Sequence, residues 1–365
     1  MDMLEKGKIS ALQMEFLIVP AIIATGVLSI PSISGRLAGH DMWMTPIAGS
    51  IIGFITVFIA WKLHQLFPRM TPIEYSEQIL GKALGKLFNF FLVSFYLHTT
   101  GIVIRQYSDF ITGNVMLQTP SVIFSITIVF VSALAVRGGI EVMARSAVIC
   151  TTLFMVTSLS LLLLLKEIDL SYMRPVLENG LLPVMKGSLV HSSWFSELFL
   201  LAFIFPFIND SKKGLRSGMK SALYIVLLLL YVNFFVLTLL GVSSVNQFYP
   251  VYSIVRAISV FGFFENFEVI ITASWVLGNF VKVSVFLYAI SLGLAQLLKL
   301  SDYRPIVFPL ALLLIFLSYW DIPNIMSVVE FSTRTQPFYF VIVQTVLPLL
   351  LLLIAMARRK WRESH

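Results

Sequence analysis

The sequence holds one cysteine, Cys150, in 365 residues. No internal disulfide can form, and no cysteine-based metal module can be assembled. Charge is scarce too. Only 12% of the residues are Asp, Glu, Lys or Arg, where a soluble domain carries roughly 25%. There is no phosphate-binding P-loop, no dinucleotide glycine fingerprint and no metal-spaced Cys/His cluster. His191 beside Ser192 and Ser193 lacks an ordered acid and makes no triad. The expectation is a protein that is not an enzyme and carries no cofactor.

What the chain has in abundance is apolar surface: 58% of residues are hydrophobic, and mean hydropathy is +0.90. A soluble fold of this length cannot hide so much of it, because surface still scales steeply with mass. Lipid is therefore the solvent for much of the chain. A helix crosses the hydrocarbon core with roughly 20 apolar residues. Ten such spans are expected, at about 12–34, 43–63, 87–108, 121–137, 144–165, 186–208, 218–242, 267–298, 304–320 and 336–357. Runs such as Leu161 to Leu165 lack the alternation of a barrel strand, so the spans are helices. The first apolar run leads into more membrane sequence and does not read as a cleavable signal peptide.

Basic residues set the orientation. With the N-terminus inside, 18 Lys and Arg fall on inside segments and 6 on outside ones. That asymmetry places both termini in the cytoplasm. It also accounts for the net charge of +7 as topogenic and membrane-lipid-directed, with no nucleic acid involved. A stretch from Ile73 to Leu87 is amphipathic and suits the membrane surface. The outer segment from Val251 to Phe267, with Arg256, Glu265 and, just beyond it, Glu268, reads as a short helix capping the outer face.

Two spans carry breakers. Span 1 holds Thr25-Gly26-Val27-Leu28-Ser29-Ile30-Pro31, and span 6 holds His191-Ser192-Ser193-Trp194-Phe195-Ser196-Glu197, then Pro206. Glycine is permissive, and proline removes a backbone donor. If 1–165 and 186–357 are two five-span halves of one integral membrane domain over 1–365, spans 1 and 6 correspond. Five being odd, the halves are inverted. Paired interruptions in an inverted repeat point to a transporter's binding site. A half-helix N-terminus holds a carboxylate and free carbonyls hold an ammonium, which suits an amino-acid zwitterion. Taken alone, span 1 could equally be kinked or closely packed at its glycine.

These residues carry a resemblance. Pro68-Arg69-Met70-Thr71-Pro72-Ile73-Glu74-Tyr75 with Gly81-Lys82-Ala83-Leu84-Gly85-Lys86, the loop Arg174 to Pro183, and the stretches Gly26 to Pro31 and Phe195-Ser196-Glu197 together resemble the B subunit of nutrient germinant receptors. This is the spore-permease family of the amino acid–polyamine–organocation superfamily. The single glycine of Thr25-Gly26-Val27 departs from relatives with more. The resemblance implies an all-α LeuT-like fold with a 5+5 inverted repeat and broken helices 1 and 6. It implies a small-nutrient pocket, a larger A subunit and a C lipoprotein as partners, and the inner membrane of a bacterial spore.

Ionisable residues at membrane depth are costly and point to function. Glu197 either closes the pocket or takes up a proton, or it is a structural carboxylate on backbone freed in span 1. Lys282, near the middle of span 8, acts in coupling, pairs with Glu197, or snorkels. His98, Arg105 and Asp109 share a face of span 3. Arg105 and Asp109 form a local pair or an outer gate, and His98 relays protons or packs. Asn233 and Asn279 are expected to bond neighbouring helices. The candidate ligand contacts are Thr25, Gly26, Val27, Leu28, Tyr96, Thr100, Trp194, Phe195, Ser196 and Glu197. The function expected is a nutrient sensor for spore germination. A proton-coupled amino-acid transporter is the rival, and a cation channel the weaker third, since few intramembrane charges line a wide pore.

Overall fold

The computed structural model describes residues 4–258, 267–320 and 325–363. Among them, seven stretches are long and apolar enough to cross a membrane. The first, Ala11–Leu66, holds two helices, and two shorter apolar helices, Ser121–Arg137 and Arg304–Trp320, complete ten spans. Spans 1 to 5 contain Ala11–Ala38, Thr45–Leu66, Lys82–Asn114, Ser121–Arg137 and Ile140–Ser158, the last drawn out as a 3-10 helix, Leu159–Glu167. Spans 6 to 9 contain Leu182–Ser196, Gly214–Leu240, Phe267–Leu297 and Val307–Trp320. Span 10 starts with Ile325–Glu330 and finishes with Leu347–Glu363.

The bundle is apolar outside as well as in its core, with buried polar side chains set into that core. Phe90, Ile149 and Phe316 are about two-thirds exposed on the outside of the bundle, while Thr56, Ser193, Asn233, Asn279, Lys282 and Gln344 are fully buried. Hydrocarbon solvates the outer side chains, and the polar ones turn inward to find partners. Asn233 Nδ2 donates to Met42 O (3.1 Å), tying span 7 to the 3-10 turn Gly39–Met44 between spans 1 and 2. Asn279 instead donates within its own helix, to Trp275 O.

The amphipathic stretch forms a surface helix, Pro72–Leu80, opened by a Thr71/Glu74 capping box. It ends at Gly81, whose φ of 87° is left-handed. That turn restarts the chain as span 3, five residues earlier than the apolar run suggested. Beyond span 7 the short helix is Pro250–Arg256. Glu265, assigned to the same cap, lies outside the described residues.

Span 1 departs from expectation: Ala11–Ala38 is one continuous helix, with Pro20 and Pro31 inside it. An unwound segment would strand several amide groups in a low-dielectric core, each at a cost of kcal/mol. A side chain supplies what Pro20 removes. Pro20 cannot donate to Phe16 O, and Thr151 Oγ1 donates there at 2.8 Å. Gly26 marks a close helix contact, since a Cβ added there would meet the Trp194 indole at 3.3 Å. Span 6 does change course. Its α-helix ends at Ser196 and tightens into a 3-10 turn, Glu197–Leu200, then passes through Leu201–Ile204 into a second turn, Phe205–Phe207. The interruption in span 6 is a tightening, without an open gap.

Candidate functional site

The discontinuity of span 6 lies against the middle of span 1. Trp194 Nε1 donates to Thr25 Oγ1 (3.2 Å), and the indole covers Gly26. One turn further, Glu197 occupies the first position of the 3-10 turn. Lys282 Nζ from span 8 donates to Glu197 Oε2 at 2.7 Å, with side-chain exposures of 0% and 2%. The same ammonium lies 3.5 Å from Ile22 O of span 1 and 5.1 Å from the centre of the Phe286 ring. Spans 1, 6 and 8 are thus tied at one buried ion pair. A pair so dry persists only where its attraction and added hydrogen bonds offset desolvation. Trp275, two turns before Lys282 on span 8, donates from Nε1 to Ala24 O. The carbonyls along this side of span 1 therefore already hold donors from span 8.

Span 10 forms a second polar wall, built from uncharged side chains that ionisable groups alone do not reveal. It contains two π turns, Phe331–Thr335 and Ile342–Val346. Such turns insert a residue into the helix and recur at functional sites. Gln336 follows the first, and its Nε2 donates to Ser193 Oγ (3.2 Å). Gln344 lies in the second. Its Nε2 donates to Ser196 Oγ (3.3 Å), and its Oε1 accepts from Tyr96 OH (3.2 Å). Thr345 shares a 2.6 Å hydrogen bond with Thr56 of span 2. The sequence signal was there: two glutamines eight apart in an otherwise apolar span, the membrane pattern for interhelical bonding.

The candidates separate into groups. Thr25, Trp194, Ser196, Glu197, Lys282 and Tyr96 belong to this connected centre, and Gly26 is its contact point. Tyr96 packs edge-on against Phe203 and Phe286. Phe195 turns away: a Cβ on Gly53 of span 2 would meet its ring at 2.8 Å. The reason is helical phase, which directs consecutive residues about 100° apart. Thr100 bonds back to Tyr96 O (2.6 Å), and Val27 is buried. Arg105 and Asp109 form their ion pair at 3.0 Å, with the guanidinium over Tyr319 of span 9. His98 lies edge-on to Phe331 and Tyr339 of span 10. A small cavity of about 40 Å³ sits between Thr25, Leu28 and Ser29 of span 1, Gln106, Tyr249 and Trp275. No cluster of three or more His, Cys, Asp or Glu that could hold a metal is found among the described residues.

Residues 8–326 match the family model described as spore germination protein. The chain belongs to that family. The chain is 29% identical to spore germination protein KB of Bacillus subtilis (strain 168), over 99% of its own length and 98% of that protein. Its fold is that of MhsT, solved in complex with L-phenylalanine: TM-score 0.68 at 10% identity, covering 96% of this chain and 99% of MhsT. Mhp1, a nucleobase-cation-symport-1 family transporter solved closed with bromovinylhydantoin bound, aligns with a TM-score of 0.60 at 15% identity, over 87% of this chain and 74% of Mhp1. The chain is thus an all-α, LeuT-like, polytopic membrane protein.

Proposed function

We propose that this protein is the nutrient-sensing subunit of a germinant receptor in the inner membrane of a bacterial spore, with both termini in the cytoplasm. A small nutrient, an amino acid first among them, binds between spans 1, 3, 6 and 8. Thr25, Gly26, Leu28, Tyr96, Trp194, Ser196 and Glu197 are the contacts, and Gln336 and Gln344 join them from span 10. The halves 1–165 and 186–357 move against each other as inverted repeats. Binding favours one arrangement over another, as any ligand-driven change requires, and the change passes to a larger A subunit and a C lipoprotein. The observation that carries the reading is the convergence of Thr25, Trp194 and the Glu197–Lys282 pair where span 6 leaves its helix. Amino acids come first because the fold neighbour MhsT holds L-phenylalanine.

The test is deletion of the gene in the spore-former, followed by dipicolinic-acid release against amino acids, sugars and nucleosides. Loss of response to one nutrient class, restored by the gene and not by Gly26→Ala, supports the sensor. A second reading, the proton-coupled amino-acid transporter, is favoured by the buried carboxylate–ammonium pair. An unchanged germination response together with lost amino-acid uptake would establish that reading instead.

A further inference from the structure

The chain ahead of span 1 is built into the bundle. Glu5 is 3% exposed, although no base pairs with it among the described ion pairs. Its Oε1 accepts from Gly7 N (2.7 Å). Its Oε2 accepts from Ile140 N (3.2 Å) at the start of span 5 and from Tyr303 OH (2.7 Å) in the connection between spans 8 and 9. Burial and then the Glu5 charge push the Tyr303 phenol well above its ordinary range, so it stays a donor. Tyr303 is itself fully buried, edge-on to Tyr288 of span 8. Three residues after Glu5, Lys8 N donates to Glu141 Oε1 (3.0 Å), and Lys8 Nζ donates to Pro206 O (3.0 Å). Ile9 then pairs with Ile208 as a parallel bridge: Ile9 N donates to Phe207 O (3.0 Å), and Asn209 N donates to Ile9 O (2.9 Å).

These bonds join two groups of helices. Ile9 and Lys8 grip the far end of span 6, and Ser10 caps span 1 directly behind them. Those are the two spans that meet at Thr25 and Trp194. Glu5 and the Lys8 amide hold the start of span 5 and the span 8–9 connection. Separation of spans 1 and 6 from spans 5, 8 and 9 at this face must break the bonds of one short segment.

We propose that residues 4–10 are a latch that keeps this face of the bundle closed, with Glu5 on Tyr303 and Ile140 as its catch and the Ile9–Ile208 bridge as its anchor. Its release is a precondition for the centre to open toward the N-terminal face. The proposal holds whichever ligand the centre takes.

A single reporter cysteine tests it. Ser291 lies on span 8 three residues past Tyr288, is fully buried, and its hydroxyl has no hydrogen-bond partner among the described residues. With Cys150→Ala, Ser291→Cys would be the only thiol. The full-length protein is reconstituted, and its labelling by a membrane-impermeant maleimide is timed without ligand. Tyr303→Phe and Glu5→Ala are each expected to raise the labelling rate about ten- to a hundredfold, the weight of a hydrogen bond to a buried carboxylate. A disulfide between Gly7→Cys and Glu141→Cys ties the segment to span 5, since a Cβ on Gly7 would lie 3.2 Å from Glu141 Cγ; formed before labelling, so that position 291 keeps the only free thiol, it should return the rate to the parent's. Parent labelling already as fast as in the variants would overturn the latch. So would unchanged rates in both variants, or fast labelling that the disulfide does not slow. Should Tyr303→Phe misfold, Glu5→Ala with the disulfide control decides alone. Loss of nutrient response with the latch intact bears only on the sensor reading, because labelling is measured without nutrient.

Discussion

The Glu197–Lys282 pair is the feature on which perturbation should act most strongly. Both side chains are out of reach of solvent and 2.7 Å apart. Lys282→Met leaves a carboxylate buried with no ammonium beside it, and Glu197→Gln leaves the reverse. Breaking a buried pair from one side costs about 3–5 kcal/mol, whereas replacing both members with neutral side chains of similar size is often neutral or stabilising. The double variant should therefore be more stable than either single one. The coupling should be about 3 kcal/mol or more, a factor above roughly 100 in the unfolding equilibrium. Reversible unfolding in mixed detergent, followed by tryptophan fluorescence, measures it. Trp194 lies one turn from Glu197, and Trp275 two turns from Lys282. Additivity of the single variants to within about 0.5 kcal/mol would refute the pair as an energetic unit.

Other outcomes follow from the same contacts. Gly26→Ala sets a Cβ 2.8 Å from the flexible tip of Ile30 and 3.3 Å from the Trp194 indole; a stability loss of about 1 kcal/mol is expected, with nutrient sensitivity reduced at least about tenfold in dipicolinic-acid release and membrane levels unchanged on immunoblots. Glu197→Gln should depress that sensitivity more than Asp109→Asn, because the Glu197 pair is fully buried while the Asp109 side chain keeps 15% exposure, and burial raises what the loss of one partner costs; equal mild effects would make Glu197 a structural residue. Gly49→Ala is expected to destabilise by about 1–3 kcal/mol or more in thermal unfolding, since the new Cβ would sit 2.5 Å from His191 Cβ and 2.9 Å from Ser188 O, where spans 2 and 6 touch. Gln344→Leu strands the Tyr96 hydroxyl and should cost about 1–3 kcal/mol in the same assay.

Composition and hydropathy alone determined that the chain is a ten-span helical membrane protein, because lipid permits little else for so apolar a chain. The sequence also marked Thr25, Gly26, Trp194, Glu197 and Lys282, since glycine, proline and charge are rare and expensive at membrane depth. It could not decide among the partners of Glu197. Span 6 and span 8 are 85 residues apart along the chain at that pair, and only their packing brings the carboxylate to the ammonium. Nor could it show that span 1 stays helical. That depends on donors from elsewhere, Thr151 behind Pro20 and Trp275 and Lys282 on the neighbouring carbonyls. The glutamines of span 10 were present as residues, but the partners that hold them, Ser193 and Ser196 of span 6 and Tyr96 of span 3, are met only in the packed bundle. The latch at Glu5 is the plainest case. A glutamate near a chain start reads as solvated, and only the tertiary structure buries it on Tyr303 and the amide of Ile140.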